Sequence, residues 1–310
     1  MVPKISVIVP VLNRERIVSR CLDSILRQSQ PPYELIVVDN NSTDGTFNVV
    51  KEWMAANSHR GIKIHLLLQT IPGACAARQM GMEHAEGDFL SFFDSDDEMH
   101  QSLLETVSKK LEELPDSDIV CWKCRINLLD GSVRIPPFRL DSPMESHLIH
   151  TMLRPQGYIV KKEFLVKSGG WQKPVEVWND FELGLRLLLN NPKITGVNNI
   201  LAEIYSQENS ITGKDFSSKR GKWEKSLKEM EFENEKINHP LKNRIRKILR
   251  YRMMILAAHY RKEGNPVIGS EVLKEALKGL NTKDKIILKA MYYYTGKGLR
   301  GAWRIINNIY

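Results

Sequence analysis

Within the first 93 residues, apolar runs too short for helices alternate with segments of helical spacing, and this restricts the chain more than any other feature. Ile5-Ser6-Val7-Ile8-Val9 and Leu35-Ile36-Val37-Val38 are near-continuous apolar runs, as in strands covered on both faces. Ile62 to Leu68 and Phe89 to Phe93 read as a third and a fourth strand. Residues 15–28 have helical spacing through Ile17, Cys21, Leu22, Ile25 and Leu26. A second helix carries Phe47, Val50, Trp53 and Met54, with Ser42 or Thr43 as its cap. Ala74 to His84 reads as a third helix. Strands separated by helices of this length predict an α/β fold, with a Rossmann-like, mostly parallel sheet and right-handed crossovers.

Such a sheet binds ligands outside the carboxyl ends of its strands. Those ends are Pro10-Val11-Leu12-Asn13, then Asp39 through Gly45, then Pro72-Gly73, then Asp94-Ser95-Asp96-Asp97. The polar groups collect on one edge. Further along, Asp130-Gly131 between two apolar runs signals a hairpin. Gly169-Gly170-Trp171 reads as a turn, and Asp180 to Asn190 returns to helical periodicity. From about residue 215 the pattern is helical. The expected organisation is a catalytic domain over 1–215, with a nucleotide-binding half over 1–100 and an acceptor half over 101–215. A basic α-helical region over 216–310 follows.

Charge divides along the same line. Residues 1–218 carry 23 Lys+Arg against 28 Asp+Glu, whereas residues 219–310 carry 22 against 9. The basic end therefore asks for an anionic partner, a membrane surface, a nucleic acid or a phosphorylated lipid, or else it is a solvated helical face. Its cations are Arg244, Arg246, Lys247, Arg250, Arg252, Lys283, Lys285, Lys289, Lys297, Arg300 and Arg304, interleaved with Ile286, Tyr292, Tyr293, Tyr294 and Trp303. Basic amphipathic helices with Tyr and Trp suit an anionic bilayer, and helices packed as a subdomain would show the same composition. The acidic first part argues against nucleic acid. A signal peptide and a spanning helix are both missing from the pattern, so the expectation is a cytoplasmic protein, peripheral on the inner face of the cytoplasmic membrane. Cys121-x-x-Cys124 stands alone in a strand-like run, which fits reduced thiols better than zinc or redox chemistry.

Three carboxylates in four residues, Asp94, Asp96 and Asp97, repel one another unless something positive offsets them. Mg²⁺ or Mn²⁺ with water and substrate phosphates would do so, and a solvated loop capping the helix near His100 is the other reading. Arg78, one turn into the third helix, can meet phosphates or form an ion pair. Asp180 can serve as a general base or as a favourable residue at a helix N-terminus.

In this order and spacing, four motifs resemble the family 2 inverting glycosyltransferases of GT-A fold, in particular rhamnosyltransferase-like enzymes of polysaccharide biosynthesis. They are Ile5 to Pro10 with Asn13, Val37 to Thr46, Ala77-Arg78 with Gly81, and Phe92 to Asp97. The resemblance covers residues 4–210. It implies a nucleotide-sugar donor, a UDP-sugar in the first instance, and a saccharide or lipid-diphosphate-linked acceptor. It implies a nucleobase pocket at Pro10, Val11 and Asn13, with Asp39 on the base. Arg78 would lie near the base or diphosphate, Asp94 on the ribose, Ser95 in the same loop, Asp96 on the metal and Asp97 near the sugar. Trp171 and Asn179 would flank the donor, and Asp180 would be the base. Leu12 replaces a common aromatic, Asn179 a common Glu, and Gln207 a common metal-binding His. Gln207 is therefore a weaker ligand beside Asp96, and Mg²⁺ gains on Mn²⁺. A Gln-x-x-Arg-Trp signature of processive relatives is missing, so addition of a single sugar is expected. The competing readings are a nucleotidyltransferase, which would want a glycine-rich loop after the first strand, and an inactive transferase-like scaffold.

Overall fold

The structure is a computed structural model, and it describes residues 2–171, 175–207 and 216–297. The first part contains β1 (Ile5–Val11), α1 (Val18–Leu26), β2 (Glu34–Asp39), α2 (Thr46–Asn57), β3 (Lys63–Leu68), α3 (Ala74–His84) and β4 (Phe89–Phe92). It continues through β5 (Glu98–Met99), α4 (Leu103–Glu113), β6 (Ile119–Asn127), β7 (Val133–Arg134), α5 (Pro143–His150), β8 (Tyr158–Lys161), α6 (Lys162–Lys167), α7 (Asn179–Leu189) and β9 (Ile194–Tyr205). Four helices follow: α8 (Lys222–Lys236), α9 (Lys242–Lys262), α10 (Pro266–Ala276) and α11 (Thr282–Gly296).

The strands form one sheet in the order β3-β2-β1-β4-β8-β6-β9-β5, with β7 beside β6. The pairs β3-β2, β2-β1 and β1-β4 are parallel, as the βα alternation requires. Beyond β4 the sheet is mixed: β8 runs antiparallel to both β4 and β6, and β9 is parallel to β6. β2 is buried along its whole length, which is why its interior, Leu35 to Val38, is an unbroken apolar run between Glu34 and Asp39. α3 lies so close to β1 that a Cβ at Gly81 would come within 2.4 Å of Ile8 Cγ2. Gly81 therefore permits the approach that brings Arg78, one turn earlier, over the carboxyl edge of the sheet.

Two local expectations are corrected. The first helix starts at Val18 rather than at residue 15, because Asn13 (φ 53°) turns the chain and the Arg14 amide donates to Thr46 Oγ1 at 2.7 Å. Neither Ser42 nor Thr43 caps α2. The Ser42 hydroxyl accepts from the Asn13 amide at 3.0 Å, and Asp44 Oδ1 accepts the Thr46 amide at 3.0 Å instead. The hairpin at Asp130-Gly131 is present, with Ile126 opposite Arg134 and Gly131 at φ 79°. All four cysteines are free, and burial pushes the Cys124 thiol up to about 12.

The chain divides into two compact units. One holds the described parts of Met1–Ser146, His150–Pro174 and Asn179–Gln207; the other holds those of His147–Ile149, Val175–Trp178 and Glu208–Tyr310. The core of the first lies between the sheet and helices such as α1, α2 and α4, around Val7, Val9, Leu22, Ile25, Leu35, Val37, Leu104 and Val107. In the second, Trp223 and Tyr260 are fully buried, and Trp178 lies 4.9 Å from Trp223 between ring centroids. Ile245, Ile248, Leu249, Met253 and Met254 form the buried side of α9. Its cations are mostly tied down inside the unit: Arg250 to Glu231 at 2.7 Å, Lys247 to Asp284 at 3.2 Å, and Arg252 Nε to the Leu148 carbonyl at 2.8 Å. Arg250, Lys247 and Arg252 of α9 thus serve internal contacts. Arg300, Trp303 and Arg304 lie outside the described residues. Among the described residues no helix is long and apolar enough to cross a membrane.

Candidate active site

The parallel register aligns Pro10 with Val38 and Val11 with Asp39, so the first two strands end side by side. Their loops are then stitched together. The Thr43 amide donates to Asn13 Oδ1 at 2.8 Å, and the Gly45 amide donates to Glu15 Oε2 at 2.8 Å. Asp39 is 1% exposed. Its Oδ1 accepts the Ser42 amide at 2.8 Å, while its buried Oδ2 has no partner among the described residues. A buried carboxylate oxygen without a donor costs free energy until a ligand N–H or O–H supplies one.

At the end of β4, the acidic loop does not cap α4. It runs into β5, and the helix begins only at Leu103. Arg78 Nη2 meets Asp94 Oδ1 at 2.6 Å, and Arg78 Nη1 donates to Asn179 Oδ1 at 3.2 Å. Burial works against the Arg78 charge, but the Asp94 carboxylate outweighs it and the guanidinium pKa is raised. Beneath the guanidinium lies the Trp171 ring, with the carbon of the cation 4.7 Å from the ring centroid. Trp171 is itself buried, edge-on to Phe92 at 5.2 Å. The tight turn before it needs Gly170 at φ 55°, where a Cβ would meet Gln79 Oε1 at 2.8 Å, the same oxygen that accepts the Trp171 amide at 2.9 Å.

The four residues of the acidic loop play different parts. Asp94 and Asp96 are partly open, whereas Ser95 and Asp97 are buried. Asp97 accepts the Tyr205 amide on Oδ1 at 2.9 Å and the Gln156 side-chain amide on Oδ2 at 2.5 Å. Burial, with Asp94 and Asp96 alongside, pushes its carboxyl well above the usual carboxylate range. Asp97 and Trp171 thus lie under the cluster and support it. Asp96 is raised by burial and by Asp94, and Arg14 Nη2 stands 3.6 Å from its Oδ2. Arg20 donates to the Asp96 carbonyl and stacks 4.1 Å over the Tyr205 ring. Gln207, two residues beyond Tyr205, donates to the Tyr205 carbonyl at 3.5 Å.

Gln156 is the residue that motif reading misses. It is 5% exposed, and its one amide nitrogen donates both to Asp94 Oδ2 at 2.6 Å and to Asp97 Oδ2 at 2.5 Å. It precedes β8, and antiparallel pairing with β4 sets the residues before β8 beside those after β4. We expect Gln156→Leu to leave two carboxylates without their shared donor and to lower stability by about 1–3 kcal/mol in urea denaturation. An unchanged unfolding midpoint would remove the clamp from this account.

Asp180 stands in the first turn of α7. Burial raises its carboxyl, and the Arg78 charge and the Phe181 amide pull it part of the way back. Trp178, two residues earlier, has φ 55°, an unfavourable conformation for a bulky residue at the helix entry. α7 is pinned by a second missed pair: Arg186 Nε meets Glu182 Oε1 at 2.8 Å, and Arg186 Nη2 donates to the Gly170 carbonyl at 2.8 Å. One cation network thereby links the acidic loop, the Trp171 turn and the helix that bears Asp180.

Among the described residues, no three His, Cys, Asp or Glu side chains converge on a point that could hold a metal. The donor chemistry still fits a hard divalent cation that draws most of its shell from water and phosphate. Asp96 offers a partly open oxygen, raised by burial and a like charge, which are the conditions that a cation relieves.

The glycosyl transferase family 2 model matches residues 6–152. The chain is similar to glycosyltransferase GlyA of Streptococcus pneumoniae, 40% identical over 110 residues, a match that covers 36% of this chain and 15% of that protein's length. It is similar over a longer span to the putative teichuronic acid biosynthesis glycosyltransferase TuaG of Bacillus subtilis, 27% identical over 71% of this chain and 86% of TuaG. Among solved structures, S. aureus TarS in complex with UDP-GlcNAc superposes with a TM-score of 0.67 at 17% identity, covering 98% of this chain and 90% of TarS 1-349. Residues 6–152 thus match the glycosyl transferase family 2 model, and the fold of the chain is the mixed α/β GT-A fold.

Proposed function

We propose that the protein is a metal-dependent, inverting glycosyltransferase that moves a single sugar from a UDP-sugar to a hydroxyl of a saccharide or lipid-linked saccharide during cell-surface polysaccharide synthesis. The observation that carries this reading is Arg78, which bonds Asp94 of the acidic loop and Asn179 beside Asp180. Donor-side and base-side groups thereby share one buried cation. A nucleotidyltransferase needs no such tie to a second carboxylate helix. The UDP-GlcNAc complex of TarS and the polysaccharide named for TuaG support the donor and product classes.

Asp39 Oδ2 would accept a nucleobase N–H, with Pro10, Val11 and Asn13 beside it. Asp94 would meet the ribose. Asp96, together with Gln207, would hold Mg²⁺ or Mn²⁺, which when bound would offset charge on the departing diphosphate. Arg78 stabilises the same charge from a dry position. Asp180 takes the proton from the acceptor hydroxyl as the oxygen attacks the anomeric carbon from the face opposite the diphosphate. One displacement inverts that carbon.

Chelation should lower transfer by about 10²-fold or more, with recovery on adding Mg²⁺ or Mn²⁺, since a Lewis acid contributes several kcal/mol at such a centre. Full activity in EDTA would refute the metal assignment. The donor base is tested by thermal stabilisation with a panel of nucleotide sugars, because a ligand specific to the native state raises its apparent stability. Stabilisation by guanosine but not uridine donors would overturn the UDP assignment.

A further inference from the structure

The anionic-surface part of this reading can be given an address. At helical spacing, the exposed residues Lys283, Lys285, Ile286, Lys289, Ala290, Tyr293 and Lys297 fall on one half of the circumference of α11 and its C-cap. The opposite half, with Leu288, Met291 and Tyr292, is buried within the unit. The only acidic residue of α11, Asp284, is 3% exposed and meets Lys247 at 3.2 Å. The outer half is therefore purely cationic in its charges. Among the described residues no carboxylate pairs with Lys283, Lys285, Lys289 or Lys297, in contrast to the tethered cations of α9. Ile286 is 64% exposed and Tyr293 is 52% exposed, with the Arg261 guanidinium 5.0 Å from the Tyr293 ring centroid.

We propose that this face of α11 docks on an anionic phospholipid surface. Two properties favour a bilayer over a dissolved polyanion. An exposed isoleucine gains nothing from a polyanion in water but is stabilised at a headgroup–acyl boundary. A tyrosine among lysines places its ring at the headgroup level, while the lysine stems lie along the surface and their ammonium groups reach the phosphates. The face presents the cations needed to hold a single helix by charge, with a small apolar contribution, so attachment is reversible and weakened by salt.

The test is co-sedimentation of the full chain with vesicles of phosphatidylcholine, alone or mixed with phosphatidylglycerol, at low and high salt. Wild type should pellet with the mixed vesicles only, and less at high salt. Each cation near the surface is worth about fivefold in partitioning, so K285E/K289E should bind at least about 25-fold more weakly. I286S/Y293S should weaken vesicle binding and leave binding to soluble polyphosphate unchanged. The proposal is overturned if wild type stays in the supernatant at low salt, if K285E/K289E pellets like wild type, or if polyphosphate binds where vesicles do not. Although the inference rests on the proposed function for its purpose, the two fail separately. Transfer to a soluble acceptor should be equal in wild type and K285E/K289E, and its absence in both would count against the transferase reading alone.

Discussion

Asp180→Asn should abolish transfer while the donor still binds. A general base placed for proton transfer contributes about 10²–10⁴ in rate, and asparagine keeps the volume and loses the base. The expected result is a fall of that size in kcat, with thermal stabilisation by the nucleotide sugar retained. The wild-type profile carries a second signature. Because burial raises the Asp180 carboxyl, kcat/KM should fall with decreasing pH at values above those of an ordinary aspartate. The sign follows from the role: the base must be ionised, so activity is lost as the pH drops through its raised pKa. Wild-type turnover in the asparagine variant would end the assignment of Asp180 as base.

Arg78→Ala should damage stability and donor handling together. The substitution removes the cation from Asp94, the donor from Asn179 and the partner above the Trp171 ring. Breaking a buried pair from one side costs about 3–5 kcal/mol, and the low end applies here because the Asp94 side chain remains 32% exposed. Urea denaturation should register that loss. Arg78→Lys should recover only part of it, since an ammonium cannot fork between Asp94 and Asn179. An alanine variant of unchanged stability and donor affinity would contradict the central position given to Arg78.

The parts of the site that are legible in the sequence are those in which one short segment carries the whole message. Val37 to Thr46 shows an apolar strand, a carboxylate at its end and a turn into a helix, all within ten neighbouring positions. Gly81 was legible as part of a motif, and its close approach to Ile8 supplies the physical reason. Ser42 does not cap α2 because its hydroxyl has a competing partner, the Asn13 amide, 29 residues away. The basic end was legible as charge but not as faces. Counting cations in α9 and α11 gives two similar helices, yet most of the α9 cations are tied to Glu231, Glu235, Asp284 and main-chain carbonyls.

By itself, the sequence determined the alternation of strands and helices, the strand ends where polar groups collect, and the charge division between the two parts of the chain. Each is a local property, set by side-chain periodicity within a few residues. Only the tertiary structure decided which carboxylates of the acidic loop face outward, that Gln156 holds Asp94 and Asp97, and that Arg78 reaches Asn179. These contacts span 62, 59 and 101 residues. They exist because β8 enters the sheet antiparallel to β4 and because α7 is pinned by the Arg186–Glu182 pair. Strand order and register across a sheet depend on the packing of the whole core, so no local pattern carries them.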